Sequence, residues 1–281
     1  MADLELVGKL NEIAWAGGRI TLDYFQTGTA VESKADDSPV TMADRAAEKY
    51  ILDELEKTCP GVPVVAEEAV SAGSVPATAE RFFLVDPLDG TKEFIAGRSD
   101  YTVNIALIEE GTPVCGVVHA PARGTSYAGG RECGAFMCQS AEIGEDAKRI
   151  SVRDFDAKGV VAVASRSHNS PETDAFLAKF DVAEKVSVGS SLKFCLLAAG
   201  EADLYPRFGR TMEWDTAAGH AVLLAAGGGV VTDAGMPLVY DKRNQAGDCD
   251  FANPHFIAFA DPEIGSMVEK MLKSPDIAGA T

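Results

Sequence analysis

Asp86-Pro87-Leu88-Asp89-Gly90-Thr91 follows directly on a strand at 81–85 that is apolar from Phe82 to Val85. Two carboxylates three residues apart, split by a proline that fixes the turn, can converge on one point beyond the strand end. Oxygen donors of this kind suit hard divalent cations, Mg²⁺ above all. Gly90 permits close approach of the backbone, and the amides of Gly90 and Thr91 can face a phosphate if a helical turn starts there. Taken alone, the hexapeptide reads equally well as a surface turn. Its neighbours shift the balance.

Working outward, a short strand at 62–66 delivers Glu67-Glu68, and Trp214-Asp215 opens a helix over 214–226 that stops at Gly227-Gly228-Gly229. An acid in a first helical turn is favoured by the macrodipole and can still reach a cation. Jointly these residues put carboxylates at strand ends and a helix start, as a multi-metal phosphatase requires. Thr41 followed by Asp44 is a capping signal for a helix running to about residue 58. Ser190, Ser191 and Lys193 fall at the start of a helix over 190–199, where amides, hydroxyls and an ammonium could receive an anion or ribose oxygens. His119, His220 and His255 read as structural, and Trp214 as packing that seats Asp215.

The chain has 281 residues and a formal net charge of -18. That length allows one large domain or two packed halves. So acidic a surface repels nucleic acid and anionic lipid, which excludes nucleic-acid partners, and a small anionic substrate would need local positive charge. No apolar run approaches the ~18 residues of a bilayer-spanning helix, and the acidic N-terminus is unlike a signal peptide. The expected location is the cytoplasm, with the cytoplasmic face of the inner membrane as the alternative. Six cysteines without Cys-x-x-Cys spacing argue for packed thiols rather than disulfides or zinc.

The remaining rhythm places a first helix ending near Phe25, a flexible excursion at 71–78, and a meander of strands at 101–108, 113–120, 125–128 and 135–138. The chain turns polar around 141–147, the expected seam. Beyond it come a strand at 159–164, a helix at 171–180, and strands at 186–188 and 202–205. The alternation predicts an α/β protein of layered sheets and helices. An α+β half, residues 1–150, would carry most of the acidic residues, and an α/β half, residues 151–281, would carry substrate recognition.

Glu67-Glu68, Asp86-Pro87-Leu88-Asp89-Gly90-Thr91 and Trp214-Asp215-Thr216-Ala217-Ala218-Gly219 resemble, in order and rough spacing, the three signature motifs of the inositol monophosphatase superfamily. Asp89-Gly90-Thr91-Lys92-Glu93-Phe94-Ile95, Ser165-Arg166-Ser167-His168, Gly189-Ser190-Ser191-Leu192-Lys193-Phe194-Cys195 and Leu204-Tyr205-Pro206-Arg207-Phe208-Gly209 resemble its CysQ-type branch of 3′(2′),5′-bisphosphate nucleotidases. The resemblance implies a layered α-β-α-β-α sandwich. It also implies Mg²⁺-dependent hydrolysis of adenosine 3′,5′-bisphosphate (PAP), or of its sulfated form PAPS, as monomer or homodimer.

By position, the resemblance gives one Mg²⁺ to Glu67, Asp86 and the Leu88 carbonyl, and a second to Asp86, Asp89 and Asp215. A third, weaker ion would reach Glu67 through water, and lithium should inhibit. Asp44 and Thr91 would orient and deprotonate the attacking water, and Glu68 would support a ligand rather than be one. Gly90, Thr91, Lys92, His168, Ser190, Ser191, Lys193, Arg207 and Asp215 would surround the substrate, with Lys193 and Arg207 on the 5′-phosphate. Lys92 would either contact the scissile phosphate or balance the acidic cluster. The alternatives are an inositol or sugar monophosphatase with the same ligands and, from another class, a non-catalytic nucleotide or metal sensor.

Overall fold

The run Phe82-Phe83-Leu84-Val85 is apolar at every position because its strand is covered on both faces. Phe82 and Leu84 enter one core cluster, while Phe83 and Val85 enter another. The same split recurs next door, where Ala106 and Ile108 face one way and Ile105 and Leu107 the other, as the two-residue period of a strand demands. A computed structural model describes residues 3–28, 31–33, 39–144, 147–156, 158–165 and 170–273.

In chain order the first elements are α1 (Asp3–Thr27), β1 (Val31–Ser33), β2 (Pro39–Thr41), α2 (Met42–Thr58), β3 (Val64–Ala66), α3 (Glu67–Ser71), β4 (Arg81–Asp89) and α4 (Thr91–Ile95). β5 (Thr102–Glu109), β6 (Thr112–Ala120), β7 (Thr125–Gly130), β8 (Gly134–Cys138) and β9 (Lys148–Ile150) follow. Then come β10 (Val160–Ser165), α5 (Pro171–Leu177), β11 (Val182–Val188), α6 (Leu192–Ala198), β12 (Leu204–Arg207), α7 (Glu213–Ala225), β13 (Gly229–Thr232), β14 (Phe256–Phe259) and α8 (Pro262–Leu272).

β3 to β9 form a seven-stranded sheet in sequence order, and a five-stranded sheet runs β11-β10-β12-β14-β13. The first is antiparallel except for β3 on β4. In the second, β10 pairs in parallel with β11 and β12, whereas β14 runs against β12 and β13. α1 and α2 pack on one face of the large sheet, and α7 lies along its other face. α6 packs on α7 and reaches β12 and β10, while α5 and α8 pack on β12 and β14. The result is the expected α-β-α-β-α sandwich. No helix among the described residues is long and apolar enough to cross a membrane.

Three departures from the sequence expectations bear on the site. β4 continues through Pro87 to Asp89, since pairing with β5 resumes after a register shift between Asp86 and Asp89. That bulge re-aims the side chains at the strand end. The helix expected from residue 190 starts at Leu192, because Ser190 has φ 49° and cannot join it. The stretch expected to be a flexible excursion is tethered: Thr78 Oγ1 donates to Asp241 at 2.8 Å and Arg243 Nη2 to the Pro76 carbonyl at 3.2 Å.

Candidate active site

The ends of β3 and β4 and the start of α7 meet at a cavity of about 300 Å³. Glu67 opens α3 immediately after β3, and Asp86, Leu88 and Asp89 lie on the bulged end of β4. Gly90 then turns the chain with φ 93°, a conformation that disfavours any side chain, and a Cβ there would stand 3.2 Å from the Asp100 carbonyl. Thr91 begins α4 directly after that turn. Asp215 occupies the first turn of α7, where its Oδ2 accepts the Met212 amide at 2.8 Å.

From the first half of the chain Glu67, Asp89, Gly90, Thr91 and Lys92 line the cavity; from the second half come Ser190, Ser191, Lys193, Arg207 and Asp215. His168 lies outside the described residues. Asp86 and Leu88 are buried behind the wall. Glu68 lines a different surface depression, on the α2 side.

A sequence profile of the inositol monophosphatase family matches residues 3–255. The chain belongs to the inositol monophosphatase family. It is 47% identical over 232 residues to the 3′(2′),5′-bisphosphate nucleotidase CysQ of Escherichia coli K12, covering 80% of this chain and 87% of that one. CysQ of Buchnera aphidicola is 36% identical over 258 residues, 91% of this chain and 94% of the relative. The crystal structure of CysQ from Bacteroides thetaiotaomicron superposes with a TM-score of 0.75 at 37% identity, covering 92% and 97% of the two chains.

Within this family member, Asp86, Asp89 and Asp215 each have one oxygen held by a backbone amide. Asp86 Oδ1 accepts the Leu88 amide at 2.9 Å. Asp89 Oδ2 accepts the Ser191 amide at 2.7 Å. The Ser191 hydroxyl accepts from Asn104 at 2.9 Å and donates to the Asp215 carbonyl at 2.6 Å. Ser191, expected beside the substrate, thus also braces two of the acids. Crowding has an electrostatic cost. Burial, then Glu67, Asp89 and Asp215, drive the Asp86 carboxyl well above the usual range. Asp215 is raised in the same way, by burial and then by Asp89 and Glu67. Asp89 is raised less freely, since Lys193 and Ser191 oppose its burial.

Among the described residues no group of three Asp, Glu, His or Cys side chains stands ready-made as a cation cage. The donors nonetheless fit a hard cation. Asp89 and Asp215 spend Oδ2 on the protein and keep Oδ1 outside those bonds, in residues that line the cavity. Asp86 is hydrogen-bonded to the Glu67 carboxyl, an acid-on-acid contact that a divalent ion would relieve.

Asp44 and Thr91, expected to act together on the attacking water, are not hydrogen-bonded to each other. Asp44 Oδ2 accepts the Thr41 amide at 2.8 Å and the Thr41 hydroxyl at 2.6 Å, closing the capping box of α2. Thr91 Oγ1 donates instead to the Leu88 carbonyl at 3.3 Å. A Thr that starts a helix has that preceding carbonyl within reach, and Asp44 is already satisfied by its own cap. Burial raises the Asp44 carboxyl despite the Thr41 bonds.

The basic wall is more committed than its sequence suggests. Lys193 is 5% exposed, and Nζ donates to the Ser190 carbonyl at 2.6 Å. Burial pulls its ammonium down to about 8, against Asp89. Arg207 Nη2 donates to the Arg210 carbonyl at 3.1 Å. Arg210 lines the cavity from an exposed position, bonded to Asp248 and Cys249. Sequence reasoning missed Arg210, whose only signal was a basic residue three positions after Arg207. The Ser190 hydroxyl is buried with no partner among the described residues, on a left-handed backbone at the cavity.

Proposed function

We infer that this protein is a metal-dependent 3′(2′),5′-bisphosphate nucleotidase that converts PAP to AMP and phosphate. The observation that carries it is a cavity lined both by the carboxylates Glu67, Asp89 and Asp215 and by the cations Lys193, Arg207 and Arg210. A lone sugar phosphate calls for one anion site, whereas a bisphosphorylated nucleotide calls for two. The CysQ relatives, alike over most of both chains, support the same substrate class.

Two Mg²⁺ ions are the proposed cofactor, held by Glu67, Asp86, Asp89, Asp215 and the Leu88 carbonyl. Bound there, they supply charge neutralisation and an acidified water. The chain does the positioning. The first amides of α4, which no helical carbonyl can satisfy, donate to the scissile phosphate. Thr91 and Asp44 orient the attacking water, which requires the Thr91 hydroxyl to turn from the Leu88 carbonyl toward Asp44. Lys193 keeps one donor beyond those given to the Ser190 and Val188 carbonyls, and this, with the arginines and the Ser190 hydroxyl, receives the second phosphate and ribose.

Phosphate release from PAP, PAPS, inositol 1-phosphate and fructose 1,6-bisphosphate, with Mg²⁺ titrated and Li⁺ added, tests this assignment. PAP is expected to exceed inositol 1-phosphate in kcat/KM by at least about tenfold, roughly the 1.4 kcal/mol of one added contact. Chelation should abolish release. Equal rates on both substrates replace the nucleotidase with a sugar phosphatase, and ligand binding without any release replaces it with a sensor.

A further inference from the structure

Glu48 lies one turn after Asp44 on the buried side of α2 and is 6% exposed. Its Oε2 accepts the Glu68 amide at 2.8 Å, and the Ala69 amide bonds to the same carboxylate. These amides belong to the first turn of α3, whose N-cap residue, Ala66, offers no side-chain cap. First-turn amides have no helical partner, and a helix of five residues is too short to hold itself together. Glu48 supplies the missing cap from a neighbouring helix, and the first residue of the helix it caps is Glu67.

A cap alone requires no such arrangement. A Ser hydroxyl at position 66 would cap the same turn without placing a further acid beside Glu67 and Glu68, both of which repel Glu48. Placing the cap on α2 ties the turn that presents Glu67 to the helix that carries Asp44. We propose that Glu48 is a positioning residue: it fixes the first turn of α3 from α2 and so aims Glu67 at the cation. It touches neither cation nor substrate and acts through the α3 backbone. The proposal rests on Glu67 being a cation ligand.

The test is a calorimetric Mg²⁺ titration of the metal-stripped protein, with the melting temperature and the Mg²⁺ dependence of PAP hydrolysis measured alongside. Glu48→Ala is expected to weaken Mg²⁺ binding about tenfold or more, the usual effect of losing a group that orients a ligand. The half-maximal Mg²⁺ concentration for turnover should rise equally, while KM for PAP at saturating Mg²⁺ moves less than about threefold. Glu48→Gln keeps a carbonyl oxygen to accept the Glu68 amide and should stay within about threefold of the parent affinity. Wild-type Mg²⁺ affinity in Glu48→Ala, with only the melting temperature lowered, overturns the proposal. So does a Glu48→Gln protein as impaired as Glu48→Ala, which would make charge rather than capping the cause. If Glu48→Ala does not fold, Glu48→Asp carries the test: its withdrawn carboxylate should weaken Mg²⁺ binding, and unchanged affinity overturns. A parent protein that binds no Mg²⁺ overturns the ligand assignment and this inference with it; normal binding in the parent and in Glu48→Ala overturns this inference alone.

Discussion

Asp86 holds the conflict between stability and function in one side chain. It is 1% exposed, its carboxyl is driven up by burial and by three other acids, and only Oδ1 has a backbone donor. Asn at that position keeps the Leu88 bond through its carbonyl and offers an N–H to Glu67 in place of an oxygen. Asp86→Asn should therefore stabilise the chelated protein by about 1 kcal/mol, a rise of roughly 2–4 °C in Tm. Its metal-dependent phosphate release should fall by about two orders of magnitude or more. Scanning calorimetry in EDTA checks the first; a lower Tm than the parent means the acids are not in conflict.

At the scale of elements, the Trp214-Asp215-Thr216-Ala217-Ala218-Gly219 stretch has a second reason for its composition. α7 lies so close to the large sheet that a Cβ on Gly116 of β6 would stand 2.9 Å from the Cα and carbonyl oxygen of Ala218. On the other side, a Cβ on Gly219 would come within 2.6 Å of the Phe194 ring. Small residues let one helix serve as the shared middle layer, and that layer sets where Asp215 points. Backbone cannot give way as a flexible side chain can, so Gly116→Ala should cost about 1–3 kcal/mol in urea unfolding and weaken Mg²⁺ binding by lifting α7. Parent-like stability would mean that α7 is free to move off the sheet without cost.

Across the whole molecule, acid stability is set by groups of opposite sign. Burial holds His119 down to about 4, against the Thr125 carbonyl that accepts from it, and its ring stacks on Trp15 at 4.3 Å. His220 is lowered too, to about 3, by burial and then by Lys242. A folded value below the unfolded one means stability that is present above pH ~6.5 and lost as the pH falls through the folded value. Asp86 and Asp215, raised on folding, act the other way and gain stability on acidification. The histidine contribution is isolated by comparing parent and His119→Asn in urea at pH 7 and pH 4. The parent should lose about 2 kcal/mol more than the variant over that span, at up to ~1.4 kcal/mol per pH unit per proton. Equal losses would mean that His119 is protonated in the fold or titrates normally.

How much of this was legible in the sequence depends on how far apart the interacting groups lie. The unbroken apolar run before Asp86, the Thr41–Asp44 cap and the oxygen-only donors were readable because strand burial, capping and donor type are written within a few neighbouring residues. The order of the three acidic motifs carried the family resemblance for the same reason. The extent of β4 was not readable, since a proline hides pairing that resumes beyond it. Nor were the end of the second sheet and α8, which the sequence reading left without elements. At the site, Ser191 anchors an Asp89 that lies 102 residues away in sequence. Glu48 caps a helix that begins 19 residues later, and Thr91 bonds Leu88 rather than Asp44. The sequence by itself determined which residue types would carry the chemistry and which layers would form. Only the tertiary structure decided which acids share a cavity, which basic groups are already committed, and what aims each one. Burial and long-range hydrogen bonding act on distances that exist only after the chain has folded.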